Sequence, residues 1–76
     1  MVDREPAGRR LWRVRKVHRC IDAELYEDDR TYEAELRLVY DDRVIYRRRW
    51  STRQEAAADA HAKRADLERA GWTEHW

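Results

Sequence analysis

The 76-residue chain holds one cysteine, one proline, two glycines and no phenylalanine. Each shortage excludes something. Cys20 alone cannot form an intramolecular disulfide. With Gly8 and Gly71 the only glycines, there is no phosphate-cradling loop and no nucleophile elbow of the GxSxG kind. No secretory core and no membrane-spanning apolar run is present, so the expected compartment is the cytoplasm and no membrane partner is expected. Lysine is scarce as well: Lys16 and Lys63 stand beside many arginines and alanines, the composition of a GC-rich bacterial or phage source. So short a chain buries a small share of its surface and leaves no room for an enclosed cofactor pocket. The expectation is a protein that is not an enzyme, uses no cofactor and takes no small-molecule substrate.

A charged fraction of 43% and a mean hydropathy of -1.15 resemble those of disordered segments, but four Trp and four Tyr supply large apolar surfaces that such segments lack. The sequence therefore reads as a folded domain with an aromatic core. The net charge of +1 conceals segregation. Residues 1–20 carry seven basic and two acidic groups, 21–42 two and nine, 43–53 five and none, 54–76 three and five. Such blocks can pair within one sheet, so a basic block is not by itself a phosphate site.

Residues 1–10, with Pro6, Gly8 and mixed charges, read as a flexible arm ahead of a single domain over 11–76. From Leu11 to Tyr26, helical spacing competes with a strand whose odd residues Val17, Ile21, Ala23 and Leu25 point inward, and the strand reading is preferred. Glu27–Arg30 make a turn. Tyr32, Ala34, Leu36, Leu38 and Tyr40 then alternate with polar residues as a half-buried strand. A three-residue loop, Asp41–Arg43, leads to a strand over Val44–Trp50 and sets Tyr40 opposite Val44, Leu38 opposite Tyr46 and Ala34 opposite Trp50.

In that register YRRRW is not one patch. Arg48 lies on the apolar face with Val44, Tyr46 and Trp50, while Arg47 and Arg49 face out. Glu35 faces Arg49, and Arg37 faces Arg47, a repulsive pair unless an anion sits close by. Ser51–Gln54 and Thr52–Glu55 both match a capping box. The helix runs to about Ala70, with an inward stripe of Ala56, Ala57, Ala60, Arg64 and Leu67, a left-handed Gly71 and Trp72 against Leu67. The tail from Thr73 to Trp76 is expected to fold back over the helix end. The fold class predicted is α+β: a three-stranded antiparallel sheet with one C-terminal helix on one face, β-β-β-α.

Two binding readings follow. Val39 and Ile45, opposite one another on the outer face, mark an apolar spot suited to a protein partner or a homodimer, and outer strands offer edges for pairing. Alternatively, Arg37, Arg47 and Arg49 with Arg13, Arg15 and Lys16 of the N-terminal basic block, which also holds Arg9, Arg10 and Arg19, would grip DNA or RNA, with Trp12 stacking on a base. The same face displays Asp22, Glu24, Glu33 and Glu35, and a pI near 8.0 is low for a basic reader. No metal site is expected: His18 and Cys20 share a face, His61 and His75 are remote, and Asp28, Asp29, Asp41 and Asp42 sit in turns without a calcium-loop pattern.

The stretch ELRLVYDDRVIYRRRW followed by STRQEAAADAHAKRADLE resembles the layout of arm-type or AP2-like β3α DNA-binding domains of integrase N-termini, and equally that of small uncharacterised bacterial β3α proteins ending in GW. The likeness covers about Val17 to Leu67. For the DNA-binding family it implies a three-stranded sheet entering a groove with the helix behind, and Arg37, Arg47 and Arg49 facing the groove.

Overall fold

The computed structural model describes residues 8–28 and 30–74. In chain order the elements are β1 (Gly8–Lys16), β2 (Arg19–Glu27), β3 (Ala34–Tyr40), β4 (Arg43–Trp50), α1 (Arg53–Arg69) and β5 (Thr73–Glu74). The strands form one antiparallel sheet in the order β4-β3-β2-β1-β5, with α1 on one face. The class is α+β, but the predicted three-stranded sheet is overturned: there are five strands among the described residues.

Two of those strands come from the segment read as one. Residues 11–26 fold back on themselves at Val17 and His18, so that Lys16 pairs with Arg19 and Val14 with Ile21. Nothing in the turn advertises it, because Val17 is a β-branched residue at φ 58, where glycine, asparagine or aspartate would be expected. The inward-facing residues change parity across the turn. Trp12 and Val14 are buried from β1, and Ile21, Ala23 and Leu25 from β2, while Val17, expected inward, is 73% exposed. A register shift between Arg10 and Trp12 makes Leu11 an extra residue on β1, and both Leu11 and Trp12 pack on the core. The predicted arm over 1–10 gives up residues 8–10 to β1; its remainder lies outside the described residues.

The β2–β3 connection is closed by the Asp28 N–H donating to the Glu33 carbonyl at 3.0 Å and the Tyr32 N–H to the Asp28 carbonyl at 2.9 Å. Tyr32, predicted inside a strand, sits at φ 62 in this connection and is exposed. The next turn has two residues instead of three. Asp41 at φ 53 and Asp42 at φ 62 adopt the left-handed pair whose twist matches a hairpin, so Tyr40 pairs with Arg43 rather than Val44. A register shift then makes Ile45 the extra residue, which restores the predicted Leu38–Tyr46 and Ala34–Trp50 pairs but sets Val39 opposite Val44, not Ile45.

The core is the sheet's inner face. Trp12, Val14, Ile21, Ala23, Leu36 and Leu38 meet Ala60, and Leu25 and Ala34 meet Ala56, with Leu11 touching both groups. Alanines at the contact let the helix lie close to a sheet bearing large side chains, each worth about 1.5–3 kcal/mol on full burial. Ala57, predicted in this stripe, is exposed. The Trp12 indole N–H is satisfied in the core by the Ala60 carbonyl at 3.1 Å.

Thr52 caps α1 with a complete capping box to Glu55. At the other end Gly71 (φ 101) and Trp72 donate their N–H groups to the Glu68 and Leu67 carbonyls, as the GW pair predicts, and Trp72 packs against the core beside Leu67. Of the tail predicted to fold over the helix end, residues 75–76 lie outside the described residues. Thr73 and Glu74 instead add to β1 opposite Arg15 and Val14, and Glu74 is fixed to Arg64 of α1 at 2.8 Å.

Candidate functional site

The sheet face away from α1 is a grid of side chains set by register. One row across it runs Arg49, Glu35, Tyr26, Gly8; the next Arg47, Arg37, Glu24, Arg10; the third Val44, Val39, Asp22, Arg13. Arginines predominate on β1 and β4, carboxylates on β2 and β3. Opposite charges therefore meet within the sheet before any ligand arrives.

Glu35 is the hub on the β4 side. Its Oε2 accepts from Arg37 Nε at 2.5 Å and lies 3.2 Å from Arg47 Nε, and its Oε1 is 3.7 Å from Arg49. Glu33 adds a second contact to Arg49 at 3.8 Å. The anion that the Arg37–Arg47 pairing requires is thus Glu35. The bond to Glu35 raises the Arg37 guanidinium above its ordinary range. Arg37 also lies over the Tyr26 ring, 4.0 Å from its centroid, while the Tyr26 hydroxyl donates to Glu24 at 2.7 Å; that bond, then burial, raises the phenol.

The β1 side is organised separately. Arg13 grips Asp22 with two bonds of 2.5 and 2.9 Å, which raises the guanidinium, and Arg10 lies 3.9 Å from the same carboxylate. Arg15 donates to the Val17 carbonyl at 2.9 Å. Lys16 is on the other face, donating to the Ala70 carbonyl at the C-terminus of α1 at 2.8 Å, where a cation complements the helix dipole. The predicted nucleic-acid set therefore divides: Arg37, Arg47 and Arg49 share one acid, Arg13 and Arg15 stand two strands from Arg37 and three from Arg47 and Arg49, about 10 and 14 Å at about 4.8 Å per strand, and Lys16 caps the helix. Trp12, predicted to stack on a base, is buried against α1. Of the apolar pair, Val39 is half-buried and Ile45 is 53% exposed beside an exposed Val44.

Sequence reasoning missed Glu35 as a hub for three arginines; the pairing register carried that signal in part, through Glu35 opposite Arg49. It also missed the clamp between α1 and β4. Asp59 accepts from the Tyr46 hydroxyl at 2.6 Å, Trp50 Nε1 at 3.2 Å and Lys63 Nζ at 2.9 Å. Burial pushes the Asp59 carboxyl up, but the three donors together hold it below its ordinary value of 3.8. Lys63 is raised by its bond to Asp59, and Tyr46 by burial and then by the same carboxylate. Every polar partner here is satisfied by another, the arrangement of a structural clamp. Ring faces are engaged too: Arg48 lies 3.8 Å from the Trp50 ring centroid and Lys63 lies 4.7 Å from that of Tyr46.

No protein-family model, curated protein or solved structure matches the chain. Among the described residues no group of three metal-ligating side chains gathers, and no helix is long and apolar enough to cross a membrane.

Proposed function

We propose that the protein is a small non-enzymatic binding module that engages another polypeptide through the β4 side of its sheet. The observation that carries this reading is β4 itself, an eight-residue strand at the end of the sheet with exposed Val44, Ile45, Arg47, Arg48 and Arg49. Terminal strands offer unpaired backbone groups, and this one adjoins a sheet face that no described helix covers. The test is selection of displayed random peptides on the immobilised chain, with the winners remeasured on the Arg47→Glu/Arg49→Glu and Val44→Glu/Ile45→Glu variants. Peptides that bind the parent and lose affinity on either variant support the reading. A selection that enriches nothing, from a chain that stays monomeric across concentration, rejects it.

A second reading, contact with DNA or RNA, draws on a different place. The β1–β2 hairpin end carries Arg15, His18 and Arg19, and none has an ion pair to a described carboxylate. Titration with labelled single- and double-stranded DNA and RNA, at low and then physiological salt, tests it. Binding that falls steeply with salt and disappears in Arg15→Glu/Arg19→Glu favours it, and no binding at low salt removes it. The capped rings of Tyr26, Tyr46 and Trp50 count against base stacking on the sheet.

A further inference from the structure

We infer that the partner taken by β4 is an extended acidic segment, with acidic and apolar residues in alternation, that adds to the free edge as a further strand. This rests on the polypeptide-binding reading and specifies its ligand and geometry. Residues 43–53 contain five arginines and no carboxylate. On the outer face, Arg47 and Arg49 share Glu35 with Arg37 and Glu33 adds a contact to Arg49, so two carboxylates serve three guanidiniums and positive charge is left over at the edge. Arg47 and Arg49 have side chains 60% and 67% exposed, which leaves their remaining N–H donors accessible from outside the sheet.

The two faces of β4 ask for different neighbours. Arg47 and Arg49 lie on one side, two residues apart, and a strand added alongside would set alternate carboxylates beside them. On the other side Tyr46 and Trp50 are half-buried rings whose margins suit apolar side chains, with Arg48 between them lying over the Trp50 ring. The extra residue Ile45 disturbs the upper part of the edge, so regular pairing is confined to Tyr46–Trp50. A second copy of β4 is the wrong occupant, because each copy brings Arg43, Arg47, Arg48 and Arg49 with no acid of its own.

The probe is an acetylated, amidated peptide of four Glu-Val repeats, titrated into the isotopically labelled full chain and followed by amide chemical shifts. The expected result is salt-sensitive binding with shifts concentrated on β4. Two further peptides, N-methylated at alternate backbone nitrogens in either phase, separate strand addition from plain attraction: one phase should bind about tenfold more weakly, because it removes the edge-facing donors. Arg47→Glu/Arg49→Glu should lose the Glu-Val peptide by about tenfold or more and gain the Lys-Val counterpart, two cross-strand pairs having changed sign. Equal binding of both methylated peptides, shifts centred on the β1–β2 turn, or concentration-dependent dimers that place β4 at the seam would overturn the inference. If displayed peptides bind β4 but the Glu-Val peptide does not, strand addition by an acidic segment is wrong while the polypeptide-binding reading stands.

Discussion

The two faces of this sheet are built on opposite plans. The face under α1 is made of Trp12, Val14, Leu36 and their neighbours, packed against alanines with the polar atoms of Trp12 and Asp59 satisfied. The opposite face has little apolar content beyond Val39, Val44 and the Tyr26 ring, and is held by ion pairs that share carboxylates. Burial makes the first face indispensable to folding; on the second, solvent screens the exposed arginines of β4 and leaves them free to meet a partner.

The largest test of this contrast is Trp12→Ala, which removes the biggest side chain of the inner face and leaves the Ala60 carbonyl without its indole donor. It should cost about 3–5 kcal/mol, measured by urea unfolding. Asp59→Asn comes next, at about 1–3 kcal/mol, since Tyr46, Trp50 and Lys63 lose a charged acceptor. Its pH signature is specific. Because the folded state holds Asp59 below 3.8, its contribution is present above that value and is lost as pH falls through the lower folded value. The parent should therefore lose stability faster than Asp59→Asn when both are melted from pH 5 downward.

Smaller effects belong to the helix ends. Gly71→Ala forces a side chain into φ 101, and Thr52→Ala deletes the capping hydroxyl; each should lower stability by about 1 kcal/mol in thermal melts. The smallest change in stability belongs to the outer face. Arg49→Gln, at a side chain 67% exposed, should shift unfolding by no more than about 1 kcal/mol. Affinity for the Glu-Val peptide should fall as stability barely moves, and unchanged affinity would contradict the part given to this face.

Much of the inner face was legible. The alternation read from Tyr32 to Tyr40, which the structure has as a strand from Ala34, the Thr52–Glu55 box and the Gly71–Trp72 stop are local signals. The β1–β2 hairpin was not, because Val17 carries no turn signal, although a clue was present. Val14 and Ile21 are an odd number of positions apart, and one regular strand cannot place both on the same face. The outer face was half legible: the alternation put Arg47, Arg49 and Glu35 together, but the hairpin that turned Trp12 into the core and Lys16 toward the helix end could not be seen without its turn. The register of β3 and β4 was recovered for Leu38 and Ala34 by a different route from the real one, since a two-residue turn plus one extra residue equals a three-residue loop in length.

What the amino-acid order determined by itself was local: a strand wherever apolar and polar residues alternate, a helix start where a hydroxyl can accept a backbone N–H, a helix stop where glycine can take a positive φ. These depend on neighbours within a few residues, so they survive without knowledge of the fold. Tertiary structure alone decided the rest. It brought Thr73 and Glu74 beside β1, gave Glu35 three arginines from two strands, and left β4 as a terminal edge. Such outcomes depend on contacts between segments distant in sequence, which form only when burial of the shared core fixes one arrangement of the sheet.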